Sequence, residues 1–224
     1  MSHAHARAQD HDHDHAVEFT QDFWDDFYRS AERIWSGQPN PQLVAQTADL
    51  TPGEALDAGS GEGGDAIWLA SQGWTVTAVD VSAVALERGA ANAAAHGSTI
   101  ADRITWRHED LYASGPGQQR FDLVSAQFIH FRNPGLESMH RRLAAAVRPG
   151  GTLLVVTHHP DDLHANVGRT GRAEMLPLAG ELTAALDPGS WDILVAGAIG
   201  RPATDLDGQP VTVTDTVLRA VRRP

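Results

Sequence analysis

The residues of this chain whose types and spacing could do chemistry begin at a glycine-rich turn. An apolar run, Ala55-Leu56-Asp57-Ala58, breaks into Gly59-Ser60-Gly61-Glu62-Gly63-Gly64, and a second run from Trp74 to Val79 ends on Asp80. Glycines at such a turn let the backbone approach a ligand closely, and the helix that follows offers free N–H groups. Gly59, Gly61 and Gly64 satisfy the dinucleotide pattern G-x-G-x-x-G, so the acids must say which ligand is meant. Asp57, at the end of the first strand and facing the crevice, would repel a pyrophosphate and suits an ammonium group. Asp80 stands where an acid accepts hydrogen bonds from both hydroxyls of a ribose. Asp110 with Leu111 fits an adenine, the amino group meeting the carboxylate and the ring face the leucine. An ammonium, a ribose and an adenine together favour S-adenosylmethionine over NAD.

Two later segments carry the side chains that would meet an acceptor. One reads Ser125-Ala126-Gln127-Phe128-Ile129-His130-Phe131-Arg132-Asn133, the other Thr157-His158-His159-Pro160-Asp161-Asp162. Methyl transfer from a sulfonium is an in-line displacement, so alignment supplies much of the barrier reduction. A base is needed only when the acceptor must lose a proton, and His130, His158 and His159 are the candidates by position. Arg132 is placed to orient an anionic acceptor, and Phe128 to pack against it. The stretch from Asp161 to Leu176 has no period and is expected to form part of the acceptor wall.

The elements that must position these groups alternate regularly. Strands are expected over 54–58, 74–80, 103–107, 121–127 and 152–157, with helices over 62–72, 82–96 and 134–147 between them. A helix near 178–186 and strands near 191–199 and 211–219, joined by a turn at Asp207-Gly208, complete the chain. Such alternation predicts a parallel sheet with helices on both faces, and ligands then bind beyond the carboxyl ends of its strands. Ahead of the first strand, Phe19, Phe23, Phe27 and Ala31 repeat at four-residue spacing, which predicts a helix from Phe19 to Trp35 ended by Gly37. Asn40-Pro41 opens a second helix running to about Asp49.

Asp57-x-Gly59-x-Gly61-x-Gly63, then Val79-Asp80-Val81-Ser82, then Glu109-Asp110-Leu111, resemble motif I and the next two motifs of class I S-adenosylmethionine-dependent methyltransferases. The leader Trp24…Tyr28…Trp35-Ser36-Gly37-x-Pro39-Asn40 is similar to that of the thiopurine-methyltransferase and tellurite-resistance group. The resemblance covers residues 19 to 220, with Ser60 standing where many relatives carry cysteine. It implies a seven-stranded α/β sheet of order 3-2-1-4-5-7-6, strand 7 antiparallel, under an N-terminal helical lid. It further implies cofactor contacts from Tyr28 and Trp35 in the lid, Ser60 in the loop, Val81 beside Asp80, and Gln127 after strand 4. The acceptor it implies is a thiol, selenol, metalloid or other small heteroatom nucleophile.

Composition narrows the alternatives. At 224 residues and 42% hydrophobic content, one domain is expected over 17–224, with 17–50 as its helical leader. Residues 1–16, where His and Asp alternate, are expected to be a disordered tail whose affinity for zinc or nickel is incidental to function. A formal charge of −12 disfavours a nucleic-acid partner, and no apolar run is long enough for a membrane span. The N-terminus lacks a secretory apolar core, so a cytoplasmic protein is expected. With no cysteine, thiolate catalysis is excluded. Two rival readings remain: a non-catalytic S-adenosylmethionine-binding module, and an NAD(P)-dependent oxidoreductase, for which neither tyrosine is followed by lysine in a Tyr-x-x-x-Lys pair.

Overall fold

The computed structural model describes residues 19–116, 120–129, 135–164, 166–167 and 175–224. The His-rich tail, His130 and Arg132 lie outside the described residues.

Seven strands form one sheet: β1 (Glu54–Ala58), β2 (Thr75–Asp80), β3 (Ile104–His108), β4 (Phe121–Gln127), β5 (Val147–His158), β6 (Trp191–Thr204) and β7 (Pro210–Arg222). Their order is β3-β2-β1-β4-β5-β7-β6. The first five pair in parallel, while β7 runs antiparallel to both β5 and β6. This is the order and the polarity that the resemblance implied. Parallel strands covered on both faces read as continuous apolar runs, and neighbouring residues serve opposite layers. On one face Leu56, Val124 and Leu153 pack with Met139 and Leu143 of the helix Leu136–Ala146. On the other, Ala55, Leu123 and Leu154 pack with Leu43, Leu69 and Ala93. Those three come from α2 (Pro41–Thr47), α3 (Gly64–Ser71) and α4 (Ala83–Ala95).

Three expectations need correction. The first helix, α1, spans only Gln21–Arg29, and the chain from Ser30 to Asn40 is irregular. The amides of Ile34 and Trp35 donate to the Glu62 carboxylate at 3.2 and 3.0 Å, so a tertiary bond takes the donors a longer helix would have used. The aromatic repeat does not form the packed face either, because the buried residues of α1 are Asp25 and Tyr28. Lastly, the terminal hairpin is longer than expected, its strands running on to Thr204 and starting at Pro210. Pro202 is tolerated inside β6 because β6 is the sheet edge, where a missing N–H breaks no ladder.

Candidate functional site

At the carboxyl ends of β1, β2, β4 and β5 the structure encloses a cavity of about 470 Å³. Its floor is the turn after β1. The amides of Gly59 and Ser60 donate to the Val79 carbonyl at 2.8 and 3.0 Å, which folds the turn back onto β2. Gly59 and Gly61 have φ of +73° and +51°, a left-handed conformation that disfavours any side chain. A Cβ on Gly59 would lie 2.6 Å from the Ile129 side chain, and one on Gly61 would lie 2.8 Å from Tyr28 Oη. Asp80 holds the turn shut: Oδ2 accepts from the Gly61 amide and Oδ1 from the Ser82 amide, both at 2.8 Å.

The leader supplies the roof. Asp25 of α1 accepts from Ser82 Oγ at 2.6 Å, which seats α1 on the start of α4. Tyr28 is buried and accepts from Trp35 Nε1 at 3.1 Å. Farther along, the Asn40 amide donates to Asp65 Oδ1 at 2.6 Å and Asn40 Nδ2 to Gln127 Oε1 at 2.8 Å. Gln127 in turn donates to Ser125 at 2.9 Å, so the leader is tied to the end of β4 beside the switch point.

Of the residues singled out by sequence, Tyr28, Trp35, Gly59, Ser60, Gly61, Asp80, Val81, Asp110, Leu111, Gln127, Phe128 and His158 line this one cavity. Asp57 does not face it. It is 1% exposed and lies beneath the floor, one residue short of the end of β1, whereas Asp80 and Gln127 are the last residues of β2 and β4. His159 is also absent from the wall. Its amide donates to the Thr214 carbonyl, and its ring packs beside Asp161 with Nδ1 3.4 Å from the carboxylate.

The floor is strongly acidic. Burial, reinforced by Asp65 and Asp80, pushes the Asp57 carboxyl well above its ordinary range, and its Oδ2 is buried without a hydrogen-bond partner among the described residues. Asp65 is raised by burial to about 6, against the hydrogen bond from the Asn40 amide. Asp80 is raised by burial, offset in part by the amides of Ser82 and Gly61. Buried carboxylates short of partners destabilise a protein until a cation or donor reaches them.

The opposite wall differs in sign and shape. Phe128 has a φ of +55° and is the one described non-glycine residue in the left-handed region. That conformation is costly and is found where surrounding structure enforces it, as at ligand sites. The Phe128 ring stacks on His158 at 4.2 Å, and the Arg201 guanidinium sits 5.8 Å from its centroid. Arg201 Nε donates to the fully buried Asp215 at 2.6 Å. Arg201 is the one arginine or lysine among the described residues of the wall. Sequence reasoning missed Arg201 and Asp65, and it quoted Asn40 and Ile129 only within the leader motif and the segment after strand 4, without a role. An acid in the first turn after a glycine loop was a readable signal for Asp65, whereas β6 carries no pattern that marks Arg201.

These features fit S-adenosylmethionine. The glycine floor admits a ligand where a Cβ would collide, and the orphaned Asp57 oxygen lies next to Asp65, an acid of the wall. Asp80 and the Asp110-Leu111 pair stand at successive strand ends. Residues 55–151 match the family model of the methyltransferase domain. Over that stretch, under half of its length, the chain is similar to the methyltransferase domain family. S-adenosylmethionine is the cofactor that its glycine turn and acids fit. The chain is 36% identical over 112 residues to a ribosomal RNA small subunit methyltransferase C of Alcanivorax borkumensis, covering 48% of this chain and 33% of that one. It is 27% identical over 146 residues to a probable thiol methyltransferase 2 of Arabidopsis thaliana, covering 62% of each. The chain thus spans between a third and under two thirds of the length of these relatives. Among solved structures it resembles one described as "Conversion of a Disulfide Bond into a Thioacetal Group during Echinomycin Biosynthesis". The TM-score is 0.71 at 24% identity, covering 91% of both chains. At that identity the likeness speaks for the fold alone.

Proposed function

We propose that the chain transfers the methyl group of S-adenosylmethionine to a small-molecule acceptor with a nucleophilic heteroatom, a thiol, selenol or metalloid being the preferred class. The division of charge across the cavity carries this reading. Carboxylates cluster at the end where cationic and hydroxyl groups of the cofactor would bind, and Arg201 stands against Phe128 and His158 at the other. When bound, the cofactor supplies an electrophilic methyl group on a sulfonium. Asp80 holds the glycine turn in the shape that leaves room for it, and Tyr28 and Trp35 cover it from water. Arg201 attracts an acceptor that carries or develops negative charge, and Asp215 keeps its Nε occupied so that the remaining guanidinium edge is directed by one fixed bond. The Phe128 face offers an apolar partner for the acceptor body. His158 is placed to take a proton when the acceptor is a weak acid; an acceptor already ionised needs no base.

The relative named as a thiol methyltransferase supports this acceptor class. The relative named for ribosomal RNA favours a nucleic-acid acceptor, but a formal charge of −12 opposes binding to phosphate backbones. A panel of thiol, phenol, amine, halide and metalloid acceptors, read by S-adenosylhomocysteine formation, tests the proposal. Turnover is expected with thiols or metalloid anions. Turnover with RNA and none of the small acceptors would overturn it. Binding of S-adenosylmethionine without turnover on any acceptor would favour a non-catalytic binding module.

A further inference from the structure

Glu62 follows Gly61 in the cofactor turn and is 7% exposed. Its Oε2 accepts from the amides of Ile34 at 3.2 Å and Trp35 at 3.0 Å. Its Oε1 accepts from Arg88 Nη1 at 3.0 Å, and its carbonyl accepts from Asn92 Nδ2 at 3.0 Å. One residue of the floor is therefore bound to the leader on one side and to α4 on the other. The segment it grips is otherwise tied at Asn40, through Asp65 and Gln127, and by the Trp35 indole on Tyr28. Trp35 is 49% exposed, and no helix runs through Ser30 to Asn40. Yet Trp35 reaches Tyr28 through its indole N–H, and its ring lies 3.5 to 3.6 Å from where a Cβ on Gly61 would stand. Trp35 and Tyr28 form the roof directly above the glycine turn. Burial holds Tyr28 but not Trp35, whose backbone is kept down by the carboxylate beneath it.

We propose that Glu62 is a positioning residue that clamps the Ile34–Trp35 segment over the cofactor, with Arg88 orienting the carboxylate, and that it governs how long the cofactor stays bound. The proposal rests on the cofactor reading given above. A carboxylate accepting two backbone N–H bonds is a charge-assisted clamp, stronger than neutral bonds. Backbone donors are present whatever the side chains, so the grip requires only that the segment pass within reach. A small outward cleft lined by Glu32, Arg33, Glu62, Arg88, Ala91 and Asn92 exposes the far side of the clamp to solvent.

The test compares Glu62→Ala, Glu62→Gln and Arg88→Met with the wild-type chain, using S-adenosylhomocysteine as the probe. Dissociation is followed by stopped flow, and trypsin cleavage after Arg33 is followed without ligand. Glu62→Ala should release the probe at least about tenfold faster and be cut sooner at Arg33. Glu62→Gln keeps an acceptor oxygen for the two amides and should lose only a few-fold. Arg88→Met should fall between them. Trp35→Ala combined with Glu62→Ala should lose little more than Glu62→Ala alone, since both act through one roof. Folded Glu62→Ala with wild-type release would overturn the proposal, whatever happens at Arg33. So would additive losses with Trp35→Ala. If the wild-type chain bound no probe, the cofactor reading itself would fall, and cleavage at Arg33 would still show whether Glu62 holds the segment.

Discussion

The close approach of Gly61 under Tyr28 has an energetic consequence that can be worked out. In Gly61→Ala, the new methyl carbon would sit 2.8 Å from Tyr28 Oη, well inside the roughly 3.5–4.0 Å of an unstrained contact. The backbone there has φ +51°, which costs a non-glycine residue roughly 1–2 kcal/mol. Overpacking at a buried site adds roughly 1–3 kcal/mol, so the single substitution should destabilise by roughly 2–5 kcal/mol. Tyr28→Phe removes the oxygen and with it the bond from Trp35 Nε1, at a cost of roughly 0.5–1.5 kcal/mol because the half-exposed indole can turn to water. In the double variant the backbone strain remains but the collision is gone. It should therefore be more stable than the sum of the singles by roughly 1–3 kcal/mol. Urea unfolding of the four chains measures this coupling. Additivity to within about 0.5 kcal/mol would refute the claim that Tyr28 closes the space above Gly61.

Other outcomes follow from the same geometry. Gly89→Ala, inside α4, should destabilise despite the roughly 1 kcal/mol that helix propensity offers, because its Cβ would lie 2.5 Å from the Trp106 ring, which Gly63 confines from another side. In a Trp106→Leu background the same change should stabilise, as thermal unfolding of the pair would show. Asp80→Ala should weaken S-adenosylhomocysteine binding at least about tenfold by calorimetry, since each charge-assisted bond lost is worth roughly 1.5–3 kcal/mol; an unchanged affinity would place the ribose elsewhere. For Asp65 the folded-state carboxyl is raised from 3.8 to about 6, so the native state holds a proton that the unfolded chain has lost. This term costs nothing below pH 4 and grows to roughly 3 kcal/mol of lost stability above pH 6. Asp65→Asn should flatten the fall in stability over that window, and in the wild-type chain cofactor affinity should rise as pH rises through 6. His158→Ala should lower kcat by roughly 10²–10⁴-fold for a hydroxyl acceptor while leaving cofactor affinity intact. With a thiolate acceptor it should shift KM instead, and no change in either constant would remove His158 from the mechanism.

Much of the frame was readable because the strands are buried on both faces, so that β1, β2 and β4 appear as apolar runs ending in Asp57, Asp80 and Gln127. The acids stand out against those runs for the same reason. What could not be read was depth: Asp57 ends an apolar run like Asp80, yet β1 continues one residue past it while β2 stops on Asp80. The leader misled by its own regularity. Its aromatic spacing continues beyond Ser30, but the helix stops at Arg29 because Glu62 captures the next amides, an interaction spanning 28 residues that no local pattern encodes. Arg201 was invisible for a similar reason, lying on an edge strand among glycines and a proline, with its partner Asp215 on the strand paired beside it.

The way the leader is attached bears on why the acceptor is the least legible part of the chain. Its irregular segment is held by carboxylates of the cofactor floor that accept from main-chain N–H groups: Glu62 from Ile34 and Trp35, Asp65 from Asn40. Such bonds depend on where the backbone runs and hardly at all on which side chains it carries. Phe19 and Trp24 line the cavity from the leader and are not among the residues whose amides these two carboxylates hold. The floor, by contrast, is constrained at every position, by positive φ at its glycines and by buried acids that need partners. A chain built this way can change the residues that meet the acceptor without disturbing those that hold the cofactor.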